Sequence, residues 1–246
     1  MKRRTPTYRR PSRKARNKSR GWVRRILLTA LGLLLLYQFW LFAHIVWWTK
    51  FNPASSAFME DRLEVLQQKN PDAELKYRWV PYANISSHLK RALVAAEDAT
   101  FVDHEGFDWE GIRKAYEKNL KKGRIVAGGS TISQQLAKNL FLSTKRTPWR
   151  KAEEAIITVM LEAVMDKQRI FEIYLNVIEW GNGVFGAEAA ARHYFKTSAG
   201  QLTPLQSAQL AAMVPNPRYY DQNRNARSLL QRTWLIVGRM GKAEIP

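Results

Sequence analysis

The sequence predicts a mainly α-helical protein in which one transmembrane helix precedes a helical domain. Three observations predict it. Ile26 to Trp48 is an apolar run of 23 residues without a formal charge. From Ser86 onward, apolar residues recur at helical spacing. No strand pattern of comparable strength follows Ala83.

The apolar run comes first. At 1.5 Å rise per residue it spans about 34 Å, enough for a hydrocarbon core of about 30 Å. Tyr37, Trp40, Trp47 and Trp48 supply aromatic rings, and Trp47-Trp48 falls where an interfacial belt belongs. Residues 1–25 carry twelve Lys or Arg and no acid, so +12 of the net +19 sits there and +7 remains for the rest. That flank predicts residues 1–25 in the cytoplasm and the remainder outside it. A cleaved signal peptide has a shorter apolar core and small residues at its cleavage site. Ala43-His44-Ile45-Val46 does not fit, so the run reads as an uncleaved signal-anchor. A basic chain can also signal nucleic acid. Here the excess lies beside a membrane run with no recognition motif after it, so nucleic acid is not an expected partner. The chain has no cysteine, which excludes disulfides, thiolate catalysis and Cys-based metal sites.

Four segments follow in the expected organisation: a basic tail at 1–25, the anchor at 26–48, a membrane-proximal linker at 49–82 and a domain at 83–246. A short helix is expected over Glu60–Gln68, and Trp79-Val80-Pro81-Tyr82 breaks what precedes it. Helices are expected over Leu89–Glu97 and over Asp108–Lys122, the second strongly basic and ending at Gly123. Thr131–Phe141 separates its faces, with Ile132, Leu136 and Leu140 on one side and Thr131, Gln134, Gln135 and Lys138 on the other. Thr147-Pro148 suits the cap and first position of the next helix. Its expected core stripe is Ala152, Ala155, Ile156, Val159, Met160 and Ala163. Further helices are expected over Arg169–Ile178, Ala187–Tyr194, Pro204–Met213 and Asn225–Met240.

Candidate chemistry lies in four places. Glu97-Asp98 closes an apolar helix, and Phe101, His104 and Gly106 follow. This can be an ordinary helix end, but acids there oppose the helix dipole by a few tenths of a kcal/mol, which points weakly to function. Gly128-Gly129-Ser130-Thr131 opens the next helix. Free N–H groups at such a start suit a phosphate, whereas the bland reading is a capped helix with a solvated face. Arg150 and Lys151 precede Glu154 by one turn; a surface ion pair worth about 0.2–0.5 kcal/mol is an equally simple account. The fourth place is Tyr174-Leu175-Asn176, with Gly181, Gly183 and Gly186 and then an Ala-rich helix, most of it expected to be scaffold. His104 and His193 lack zinc-ligand spacing.

Together these segments resemble the glycosyltransferase family 51 domain, the peptidoglycan polymerase module, from about Ala83 to Tyr220. Glu97-Asp98-x-x-Phe101-x-x-His104-x-Gly106 resembles its first motif and Gly128-Gly129-Ser130-Thr131-Ile132-Ser133-Gln134-Gln135 its second. Arg150-Lys151-x-x-Glu154 resembles the third, and Tyr174-Leu175-Asn176 the fourth. The chain stops soon afterwards, so the resemblance is to the monofunctional, biosynthetic form without a transpeptidase. Departures are few. Phe171 stands where an aliphatic residue is usual, Gln206 where many relatives have Glu, and Glu153 where some are basic.

The resemblance implies a lysozyme-like fold and an inverting β-1,4 glycosyl transfer that polymerises lipid II and releases undecaprenyl diphosphate. A sugar hydroxyl as nucleophile needs a general base, and the resemblance gives that role to Glu97. The departing diphosphate needs positive charge more than a proton. Glu154 is therefore implied as a second catalytic residue that positions cations, substrate or a bound divalent ion and does not act as an acid. Implied substrate contacts are Ser130, Gln134, Gln135, Lys138, Arg146, Arg150 and Lys151, supported by Asp98, Phe101, His104 and Asn176. No cofactor is required; a divalent cation, Mg or Mn, is a candidate assistant at the diphosphate. Expected partners are lipid II, the lipid-linked glycan strand and the bilayer, with other cell-wall synthesis proteins as candidates. The expected location is the bacterial cytoplasmic membrane. Two rivals share the pattern: a lytic transglycosylase or lysozyme-like hydrolase, and an inactive membrane-tethered scaffold.

Overall fold

The structure is a computed structural model that describes residues 13–124, 128–143 and 148–246. It divides into an N-terminal unit ending at His44 and a larger unit, Ile45–Pro246. Helix α1 (Arg13–Trp48) dominates the first. The helix thus begins within the basic tail, and Gly21–Trp48 is long and apolar enough to cross a membrane. Its large side chains, among them Leu27, Leu33, Leu36 and Phe39, are exposed along its length. Such a surface needs an apolar solvent. His44, the one titratable group in the run, donates from Nδ1 to the Trp40 carbonyl at 2.9 Å.

The second unit opens where α1 ends, and Arg169 satisfies the backbone there. Its Nε donates to the Trp48 carbonyl at 2.9 Å, and its Nη2 donates to the Phe51 carbonyl at 2.7 Å. The last carbonyls of a helix have no partner within it, so a guanidinium fork is well suited to them. Helix α2 (Ala57–Gln67) starts three residues before the expected Glu60, because Ser56 caps it by accepting from Met59 N.

Two helical layers carry the domain. Helix α3 (Ser87–Glu97) packs against α9 (Pro204–Met213) and α11 (Arg227–Met240), burying Leu89, Leu93 and Val94. Gln206 completes a capping box with Thr203 at the start of α9, a role that Gln fills as well as Glu. Helix α5 (Ile132–Phe141) packs against α6 (Pro148–Val164) and α7 (Lys167–Val177), with Ile132, Leu136 and Leu140 buried as their spacing predicts. Helix α4 (Trp109–Lys122) ends at Gly123 in the left-handed conformation. Helices α8 (Ala187–Phe195) and α10 (Pro217–Gln222) complete the helical set.

One expectation, the core stripe of α6, needs correction, and two features add to the reading. A small sheet does follow Ala83: β2 (Glu179–Gly181) pairs antiparallel with β3 (Val184–Phe185), and β3 pairs parallel with β1 (Lys76–Tyr77). Strands of two or three residues show no alternation to detect. In α6 the expected stripe faces outward, with Ile156 42% and Val159 57% exposed, while Glu154, Ile157, Thr158, Leu161 and Met165 are buried. The helix is rotated because its polar Glu154 and Thr158 turn inward. Asn176 on α7 acts as scaffold. Its side chain accepts from Val80 N at 2.9 Å and donates to the Val80 carbonyl at 2.9 Å. That double bond holds the linker against α7, and Gly186 (φ +80°) passes close beneath, where a Cβ would stand 2.7 Å from the Asn176 carbonyl oxygen.

Candidate active site

The first motif folds as a loop stapled to the second. Asp98, the residue after α3, accepts from Ile132 N at 2.9 Å through one oxygen. Its other oxygen lies 3.0 Å from His104 Nε2. Thr131 Oγ1 donates to the Gly106 carbonyl at 2.7 Å, while a capping box joins Thr131 and Gln134. Gly106 has φ +83° and no room for a side chain: a Cβ would lie 2.8 Å from Thr158 Cγ2. Phe101 is fully buried, 5.5 Å from the Phe171 ring, and Lys167 Nζ lies 4.7 Å above it. The aromatic at position 171 is therefore accommodated by a tilted ring contact with Phe101.

These contacts change the reading of the glycine turn. Three N–H groups at this helix start are already engaged, Ile132 N by Asp98, Thr131 N by Gln134 and Gln134 N by Thr131. The anion at this helix start is Asp98 itself. Gln134 is 3% exposed and held in the cap, whereas Gln135 and Lys138 face open space.

With Asp98 so placed, Glu97 at the last turn of α3 points into the site. Its side chain is 11% exposed. Gln135 Nε2 donates to Oε2 at 3.0 Å and Arg232 Nη2 to Oε1 at 2.9 Å. Tyr174, buried on α7, donates its hydroxyl to Gln135 Oε1 at 3.1 Å and so fixes which way the amide faces. Burial pushes the Glu97 carboxyl above its ordinary range, while Gln135, Arg232 and Lys138 pull it back. A buried carboxylate whose proton affinity is raised in this manner suits a role in proton transfer.

Glu97 lines one cleft, and its hydrogen-bond donor Gln135 lines a second. One, about 190 Å³, is lined by Glu97, Asp98, Asp108, Gly129 and Ser130. The other, about 390 Å³, is lined by Gln135, Lys138, Arg150, Glu179, Asn216 and Arg218. Burial lowers the Lys138 ammonium from its ordinary value; nearby Glu154 opposes that shift, and Arg150 and Lys151 reinforce it. Glu154 is itself buried and ion-paired with Lys151. Arg146 lies outside the described residues, as does Thr147.

Sequence reasoning missed Arg232, 135 residues from its partner Glu97 on a helix that carries no recognised motif. It also missed Glu179, Asn216 and Arg218 on the wall of the second cleft. The Pro215-Asn216-Pro217 break between two helices was a legible signal for that corner.

A buried carboxylate that lines an acidic cleft, with its hydrogen-bond donor Gln135 on a cationic one, is suited to moving a proton beside an anionic ligand. A transglycosylase family model matches residues 63–241. A biosynthetic peptidoglycan transglycosylase of Methylobacillus flagellatus is 70% identical over 220 residues, 89% of this chain and 96% of the relative. One from Laribacter hongkongensis is 68% identical over 225 residues, 92% of this chain and 99% of the relative. One from Chromobacterium violaceum is 64% identical over 222 residues, 90% and 97%. The chain belongs to the transglycosylase family, and it is a glycosyltransferase.

Proposed function

We propose that the protein polymerises lipid II into peptidoglycan strands. The observation that carries the mechanism is the position of Glu97, which lines the Ser130 cleft and is held by Gln135, a residue of the Lys138–Arg150 cleft. The cationic cleft takes the donor, a glycan strand on undecaprenyl diphosphate, because Lys138, Arg150 and Arg218 line it. The acceptor, lipid II, enters beside Ser130 with its sugar 4-hydroxyl toward Glu97. Glu97 takes the hydroxyl proton as the oxygen attacks the donor's anomeric carbon. A C–O bond to the acceptor forms as the bond to phosphate breaks, with inversion to a β-1,4 linkage.

The departing diphosphate carries away the bonding electrons, and Lys138 and Arg150 stabilise its charge. Glu154 holds Lys151 in an ion pair and favours the charged form of Lys138, so it orders the cationic wall instead of donating a proton. A glycosidase needs one of two carboxyl groups protonated to release an alcohol; a diphosphate leaves without that help. Among the described residues, no three His, Asp or Glu gather as metal ligands, and Glu154 is already engaged. A divalent ion would therefore have to be held mainly by the diphosphate, as Mg²⁺ commonly is.

Both substrates are confined to a bilayer, so α1 raises encounter simply by sharing their surface. The reading places the protein in the bacterial cytoplasmic membrane, with residues 1–25 cytoplasmic and the domain outside. Separate incubations with lipid II and with purified glycan test it. Consumption of lipid II with the glycan left intact is expected; shortening of the glycan would favour the hydrolase.

A further inference from the structure

We propose that Arg232 is a positioning residue for the transfer, clamping one oxygen of Glu97 while Gln135 holds the other. The proposal rests on Glu97 being the base. Its starting point is geometric. Arg232 Nη2 lies 2.9 Å from Glu97 Oε1. The same nitrogen lies 3.5 Å from the Ala96 carbonyl oxygen. Helix α11 delivers the guanidinium rigidly, because Leu229, Thr233, Ile236 and Met240 on its inner face are all buried.

Stability alone is a poor account of this arginine. Its Nε is buried without a hydrogen-bond partner, an arrangement that costs folding free energy and calls for a functional explanation. Other groups act on the same carboxylate. From α5, Lys138 contributes positive charge and Gln135 a hydrogen bond. From α7, Tyr174 reaches Glu97 through Gln135, and on the α3 side Asp98 is committed to His104 and Ile132.

Lys138 is a shared cation. It also faces Glu154, and the proposed donor diphosphate would claim its charge in the loaded enzyme. Arg232 is ion-paired with Glu97. With donor bound, it is the cation left to offset burial, which otherwise favours protonated Glu97. A protonated Glu97 accepts no proton from the incoming hydroxyl.

The test is the pH dependence of kcat for lipid II consumption by the full-length protein in bilayers, comparing the parent with Arg232→Gln, Arg232→Lys and Glu97→Gln. Arg232→Gln should shift the acidic limb to higher pH and lower kcat there roughly tenfold or more, with KM little changed. Arg232→Lys, which keeps a charge but not the fork, should return the limb part of the way. If Arg232→Gln does not fold, the limb in Arg232→Lys decides by the same criterion, since it should lie between the parent and higher pH. An unmoved limb, or a loss uniform across pH, overturns the proposal. In Glu97→Gln the residual rate should be low and without the acidic limb. An acidic limb that persists there would overturn the base assignment, and the proposal with it, whereas its loss in Glu97→Gln beside an unmoved limb in the arginine variant would overturn the arginine alone.

Discussion

Asp98 Oδ2 accepts the backbone N–H of Ile132 at 2.9 Å, so the acid next to Glu97 serves as the anion at the start of α5. One carboxylate ties the end of α3 to the helix that carries Gln135 and Lys138. Asp98→Ala would orphan the Ile132 N–H and remove the partner of His104. We expect a loss of about 1–3 kcal/mol from the unsatisfied buried donor. Thermal unfolding should show it as a drop of about 2–4 °C per kcal/mol for a domain of this size. A variant as stable as the parent would remove this structural role.

Lys138 should set the alkaline side of activity. Burial lowers its ammonium from the ordinary lysine value, so its charge is lost at lower pH than an exposed lysine would lose it. The rate should therefore decline as pH rises through that lowered value. Lys138→Arg, charged at every accessible pH, should extend the alkaline limb upward wherever its fork fits. Lys138→Met should reduce kcat by about 10²–10³, the usual effect of losing one group that stabilises developing charge. Steady-state kinetics across pH 6–10 check both; an alkaline limb equally steep in Lys138→Arg would assign it elsewhere.

How much of this was legible in the sequence depended on how local each signal was. The faces of α5 could be read because both stripes lie within ten residues, and the cap and core signals agree there. The four motif segments were visible as residue patterns, although patterns do not show that Asp98 reaches Ile132 or that Gln134 turns into its own cap. Helix α6 failed for a physical reason. Its apolar residues Ile156 and Val159 are exposed, and its buried face includes Glu154 and Thr158, the reverse of what burial preference predicts. Arg232 could not be read at all: one of three arginines in an amphipathic helix gives no hint that the fold will set it beside Glu97.

The inverted face of α6 carries its own prediction. Trp149 is 67% exposed and lies one face with Ile156 and Val159, a stripe that water does not favour. We expect it to rest in the interfacial region of the bilayer that holds the substrates. The chain has no cysteine, so Val159→Cys gives a single labelling site for an environment-sensitive fluorophore. In proteoliposomes its emission should be quenched by lipid-borne nitroxides. A label at exposed Gln201→Cys should not be; equal quenching at both sites, or at neither, would contradict the placement.

The central claim is that Glu97 removes the proton from the acceptor hydroxyl. The direct measurement is the turnover of lipid II by Glu97→Gln, which keeps the shape of the side chain and the contact to Arg232 but cannot take a proton. A loss of about 10²–10⁴ in kcat, with the fold intact by thermal unfolding, is predicted. Near-parental turnover by a folded Glu97→Gln protein would contradict the account.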